Sequence, residues 1–228
     1  MKSFSVLTAL AGLIGAAQAT VQGFDISHYQ SSVNFAGAYS SGARFVIIKA
    51  TEGTTYTDPK FSSHYTGATS AGLIRGGYHF AHPDSSTGAA QADYFLAHGG
   101  GWSNDGITLP GMIDLESVSG KATCFGLSTS AMVSWIKSFS DRYHTKTGRY
   151  PMIYTNYSWW NQCTGNSKTF ATTNPLVLAR WSSTIGTLPG GWSVHTIWQN
   201  ADTYTYGGDS DVFNGSLDRL KALAKGSG

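Results

Sequence analysis

Short apolar runs of strand length recur eight times along this chain, and four helical patterns separate the first five of them. The runs span residues 21–28, 44–50, 74–81, 109–116, 150–155, 175–181, 194–199 and 208–213. Residues 44–50, Arg-Phe-Val-Ile-Ile-Lys-Ala, form a nearly unbroken apolar stretch of the kind a strand buried on both faces requires. Helical spacing marks residues 34–42, 58–72, 87–98 and 127–148. Asp58-Pro59 supplies a cap and a first-turn proline, and Met132, Trp135, Ile136, Phe139 and Tyr143 recur at steps of three and four. After the fifth run the helices thin out while strands continue, until a terminal helix over 215–225. The expectation is an α/β fold, a barrel of eight strands with fewer than eight helices.

The N-terminus carries a different signal. Met1-Lys2, the apolar stretch from Phe4 to Ala17 and the small residues Ala17-Gln18-Ala19 have the three parts of a secretory signal peptide, cleaved after Ala19. Residues 20–228 then remain as one expected catalytic barrel domain, exported and extracellular, and about 209 residues suffice for one core. No later stretch is long enough to span a membrane. Charged residues make up 12% of the chain, and its 15 Lys and Arg are scattered, which argues against a nucleic-acid partner. Abundant aromatic residues with few charges suit a carbohydrate surface. The two cysteines of an exported protein are expected to form one disulfide, Cys124 to Cys163. Sequons stand at Asn156 and Asn214.

Chemistry concentrates at the ends of the apolar runs. Gly111-Met-Ile-Asp-Leu-Glu116 ends in two acids one residue apart, and the period of two puts Asp114 and Glu116 on one face of a strand. Two acids that close in a partly desolvated site cannot both ionise freely, so one is expected to keep a raised pKa and serve as a proton donor. The alternative is a solvated strand end whose acids keep the edge soluble. Asp25, Glu52, Tyr78, His79, Tyr154, Trp181, Gln199 and Asp209 also stand at or just past the ends of runs. In a barrel these ends share one mouth, which makes them candidates for a single site. His79 and His82 have a spacing that suits a metal, but no clear third ligand accompanies them, so neither metal nor cofactor is expected.

Gly23-Phe-Asp25-Ile-Ser-His-Tyr-Gln30, Lys49-Ala-Thr-Glu52-Gly, Gly77-Tyr-His79-Phe, Ile113-Asp114-Leu-Glu116, Ile153-Tyr154-Thr, Trp198-Gln199 and Asp209-Ser-Asp-Val-Phe213 together resemble the glycoside hydrolase family 25 lysozymes, the Chalaropsis type, in particular secreted fungal members. The resemblance covers nearly all of the chain after residue 19. It implies cleavage of the β-1,4 bond between N-acetylmuramic acid and N-acetylglucosamine in bacterial peptidoglycan, on an α/β modified TIM-like barrel of eight strands and about five helices, (β/α)5(β)3. By position it implies Glu116 as general acid, Asp114 as the residue that orients the substrate's N-acetyl group, and Asp25 and Asp209 as further site aspartates. The Asp-x-[Asn/Asp]-x-Phe register selects Asp209 over Asp211. Glu52, Tyr78, His79, Tyr154, Trp181 and Gln199 are expected to bind substrate. The expected protein is a monomer whose partner is cell-wall peptidoglycan, with no nucleic acid or membrane. A chitinase-like hydrolase with an Asp-x-Glu pair, a non-catalytic carbohydrate-binding protein and a metal-dependent deacetylase remain as alternatives.

Overall fold

A computed structural model describes residues 19–227. The expected signal peptide therefore lies outside the described residues, except for Ala19. The strands are β1 (Val21–Ile26), β2 (Phe45–Glu52), β3 (Tyr56–Thr57), β4 (Ile74–Phe80), β5 (Met112–Asp114), β6 (Met152–Thr155), β7 (Leu176–Ala179), β8 (Ile197–Ala201) and β9 (Asp209–Phe213). The helices are α1 (Phe35–Ser40), α2 (Phe61–Ser70), α3 (Gly88–Ala97), α4 (Thr129–Thr147), α5 (Tyr157–Thr164) and α6 (Leu217–Lys225). Eight strands close on themselves in the order β1-β9-β8-β7-β6-β5-β4-β2, with β2 pairing back to β1, while the two-residue β3 hangs as a hairpin on the end of β2. All barrel pairs are parallel except those of β9, which runs antiparallel to both β8 and β1.

The expected eight-strand barrel is present, with six helices where about five were expected. The additional helix is α5, which begins immediately after β6, where Asn156 accepts from the Trp159 amide and caps it. Another difference lies at β5, which ends at Asp114. The Leu115 amide still donates to the Tyr154 carbonyl, so the ladder runs one residue further and Glu116 leaves the sheet just beyond it.

Alternation along the strands makes the layers. Phe45, Ile47, Met112, Met152, Val177, Ile197 and Phe213 face inward and fill the barrel, joined by Leu220, Leu223 and Ala224 of α6. Phe24, Ile26, Val46 and Ile48 face outward with Phe35, Ala38 and Ala68 of α1 and α2. Ile113, Ile153, Leu176 and Leu178 pack outward against Trp135, Ile136, Phe139, Trp159 and Trp160 of α4 and α5. Each such side chain withdrawn from water contributes about 1.5–3 kcal/mol, which offsets the ordering of the chain.

Two features fix the element that matters for the site. The Tyr143 hydroxyl of α4 accepts from the Gly111 amide at 2.7 Å and donates to the Gly100 carbonyl at 2.8 Å, which anchors the entry to β5. A Cβ at Gly111 would stand 2.6 Å from the Phe95 ring, so only glycine passes there. On the far side of β5, Cys124 and Cys163 form a disulfide that ties the loop after β5 to α5. The pairing matches the expectation, and Cys163 stands in the last turn of α5.

Candidate active site

Strand parity brings Asp25, Lys49, Tyr78, Asp114, Tyr154, Gln199 and Asp209 to one end of the barrel, where with Glu116 they line a cleft of about 250 Å³. Tyr29, Gln30 and Phe80 are also among its walls. Because β9 is antiparallel, it presents its beginning to this mouth, so Asp209 is the first residue of its strand and not the last. Asp25 and Asp209 are direct partners across β1 and β9. Two further hollows, around Trp102 and Lys146 and around His195 and Arg219, have at most one carboxylate in their linings.

The cleft concentrates negative charge in a poorly solvated space. Burial, then the neighbouring Asp209, raises the Glu116 pKa, and Lys49 opposes them. Asp114 is held well above the usual carboxylate range by burial, then by Glu116 and Asp25. Asp25 rises to about 8, driven by burial and by Asp209, while a hydrogen bond from Gln199 works the other way. Burial also raises Asp209, helped by Asp202. The charge on Glu116 thus opposes the ionisation of its neighbour Asp114. Access separates the two residues. Asp114 is 7% exposed and its Oδ1 meets no donor, whereas Glu116 is partly open to the cleft.

Around the acids runs a set of oriented donors. Gln199 receives hydrogen bonds on Oε1 from the Tyr154 hydroxyl and the Trp181 indole, both at 3.0 Å, which turns its amide nitrogen toward Asp25 Oδ2 at 2.8 Å. Trp181 itself stands on the rim, 60% exposed. Tyr29, in the cleft wall, is 83% exposed and packs on His28 at 4.3 Å between ring centres. Two open aromatic faces on the margins of a polar cleft suit the faces of sugar rings.

Two expected binding residues lie elsewhere. His79 faces outward from β4, fully buried, with ring contacts to Phe95 and Phe139. Its Nε2 donates to Gln91 Oε1 and its Nδ1 accepts from Thr51, each at 2.8 Å. Burial lowers its pKa to about 4, so it is a neutral core histidine removed from the cleft. Glu52 does not line the cleft either. It accepts from Lys49 Nζ at 2.6 Å and from His82 Nε2 at 2.7 Å, and so aims the lysine that does. His82 is thus engaged with Glu52 while His79 is engaged with Gln91. Lys49 was missed from the sequence, although a lysine inside the apolar run 44–50 is a readable sign of an inward polar position.

These raised pKa values link stability to pH. A carboxyl with a folded pKa above its unfolded value is protonated in both states at low pH, and its penalty grows as pH rises from about 4 toward the folded value. For Asp25 that window runs from 3.8 to about 8. On the acid side, hydrogen bonds from Lys49 and His82 hold Glu52 below its ordinary value despite burial, and a hydrogen bond from Lys121 does the same for Asp84. Those contributions disappear as pH falls through the ordinary carboxylate range. The melting temperature should therefore peak near about pH 5 and fall by several degrees by about pH 8, since each kcal/mol moves Tm by about 2–4 °C in a chain of this size. A calorimetric series at fixed ionic strength that rises from pH 5 to 8 would contradict the burial of these acids.

The family model described as glycosyl hydrolases family 25 matches residues 24–209. An N,O-diacetylmuramidase of Chalaropsis sp. is 70% identical over 211 residues, which cover 91% of this chain and all of that protein. Lysozyme M1 of Streptomyces globisporus is 49% identical, covering 90% of this chain and 71% of the relative. Among solved structures, a muramidase from Trichobolus zukalii superposes with a TM-score of 0.89 at 73% identity, covering 90% of this chain and 99% of that one. A barrel of this topology with its acids at one mouth, joined to these similarities, places the chain in glycosyl hydrolase family 25.

Proposed function

We propose that the protein is an exported muramidase that hydrolyses the β-1,4 bond between N-acetylmuramic acid and N-acetylglucosamine of bacterial peptidoglycan, with Glu116 as the general acid. The observation that carries this reading is the pairing of Asp114 and Glu116 in the cleft, where Glu116, unlike Asp114, combines a raised pKa with access to a ligand. In this reading Glu116 gives its proton to the glycosidic oxygen as the bond to the anomeric carbon breaks. Its carboxylate then takes a proton from the water that completes hydrolysis. Lys49 limits the rise of the Glu116 pKa, so the proton can leave as well as stay.

Asp114 acts through the substrate. It is too close to Glu116 along the chain to flank the sugar from the opposite face, and its buried Oδ1 has no protein donor. An acetamido N–H of the muramic acid residue supplies that donor. With its N–H held, the acetamido oxygen attacks the anomeric carbon opposite Glu116, and Asp114 stabilises the positive charge that the group acquires. Asp25 and Asp209, across the mouth, offer the alternative of activating water directly. Walls de-N-acetylated at muramic acid should be cleaved at least about tenfold more slowly than re-acetylated walls, and Asp114→Asn should cost much less on the former. Equal cleavage of both by the parent enzyme would remove acetamido participation and move this role to Asp25 or Asp209.

The reading as a whole is tested by turbidity clearing of purified cell walls with analysis of the reducing ends. New muramic acid ends are expected, on walls with and without O-acetyl groups, in line with the name of the Chalaropsis relative. New glucosamine ends, or faster release from chitin than from peptidoglycan, would overturn it. Export rests on residues 1–19, and a bacterial wall polymer is a substrate that an exported enzyme meets.

A further inference from the structure

Asp211 is the one acid of the barrel mouth that the mechanism above does not use, and it is the least accessible of them, 1% exposed. It lies two residues below Asp209 on β9, on the same inward face, with Gly23 of β1 and Gln199 of β8 as its strand partners. Since Gly23 has no side chain, the carboxyl of Asp211 reaches that of Asp25, the next inward residue on β1. Neither Asp211 oxygen meets an N–H or O–H donor. Gln199, the β8 partner of Asp211, has already turned its amide nitrogen to Asp25 Oδ2. Two buried carboxylates in contact, with no donor for the lower one, would cost several kcal/mol. A single proton between them turns that contact into a hydrogen bond.

We propose that Asp211 keeps its proton in the working enzyme and is a positioning residue, donating to Asp25 so that Asp25 stays aimed into the cleft. This rests on Asp25 belonging to the catalytic mouth, as proposed above. Burial, then Asp25 and Asp209, hold Asp211 well above the ordinary carboxylate range, in keeping with a retained proton. The ionisable groups facing it are Asp25 from β1 and Asp209 from its own strand, while β8 contributes only the neutral Gln199. Across the mouth stand Lys49, Asp114 and Glu116, together with the phenols of Tyr78 and Tyr154, which burial keeps protonated.

The proton implies a ceiling on the working pH. Once the pair loses it, two adjacent charges repel, and Asp25 gives up both its donor and its orientation. Asp211→Asn replaces the acid by a donor that cannot ionise, whereas Asp211→Leu fills the space without one. In the full chain, Asp211→Asn should lyse walls within about threefold of the parent at the parent's optimum and hold that activity to higher pH. Asp211→Leu should lose about tenfold or more in kcat/KM at every pH, the size expected when a hydrogen bond to a charged group disappears. Independently of any substrate, the infrared difference between the parent and Asp211→Asn at neutral pH should show one protonated carboxyl lost. The proposal is overturned if that signal is absent, if Asp211→Asn is as impaired as Asp211→Leu, or if folded Asp211→Leu matches the parent. If Asp211→Leu does not fold, the spectrum and the alkaline limb of Asp211→Asn still decide. If the parent leaves walls intact, the muramidase reading fails while the infrared signal still reports on the proton.

Discussion

Glu116→Gln should slow the clearing of purified walls by about 10²–10⁴-fold, the loss typical of a missing general acid. The amide keeps the volume and polarity of the side chain but has no proton to give to a departing sugar oxygen. Glu116 stands in coil just past β5, so no ladder hydrogen bond depends on it and the circular dichroism of the variant should match the parent. Its removal also takes a negative charge away from Asp114, whose pKa Glu116 helps to raise. The variant should therefore melt at the same temperature as the parent or slightly higher at neutral pH, a shift opposite to that of a damaged core. Lysis above roughly a tenth of the parent rate would assign the acid elsewhere, with Asp25 the first group to test.

Replacing both Cys124 and Cys163 by Ala should cost up to about 4 kcal/mol, the chain-entropy value for a loop of this size. The cross-link spans 39 residues of sequence. That loss corresponds to a fall in Tm of about 8–16 °C. The loop it closes contains α4, whose Tyr143 anchors the entry to β5, and the bridge itself holds the segment that follows Glu116. Activity should therefore decline at temperatures well below global melting, as the rim loosens before the barrel opens. Scanning calorimetry beside a temperature series of wall lysis would separate the two effects. Coincident loss of activity and structure, with no earlier decline, would show that the bridge stabilises the whole without steadying the rim.

The barrel was legible because its evidence is periodic. Runs such as 44–50 are apolar at both parities, which only a doubly covered strand demands, and the spacing from Met132 to Tyr143 leaves no reading but an amphipathic helix. The helix α5 escaped because it is eight residues long and its cap is Asn156, a residue that also opens a sequon. The direction of β9 escaped for a different reason: hydrophobic patterning has no arrow, so the pattern placed Asp209 near the mouth without telling which end of its strand arrives there. In the site, the acids were readable because carboxylates at the ends of buried runs are costly. His79 misled because it stands one residue from Tyr78, and a shift of one position along a strand exchanges cleft for core. Lys49 and Asp211 were hidden by the same parity, since one interrupts an apolar run and the other repeats an acid already assigned.

The antiparallel seat of β9 also bears on the order in which the protein can come into being. Asp25 belongs to the first strand and Asp209 to the last, and they become neighbours only when β9 slides between β8 and β1. Local pairings such as β2 with β4 can form as soon as their own segments exist, but this one must wait for nearly the whole chain. Every shorter product of synthesis, stalled or cut before residue 209, lacks one wall of the cleft along with the closure of the barrel. Closure of the barrel and completion of the site are then one event, so the acids that strain the folded mouth are brought face to face only when all the surrounding strands are present to hold them.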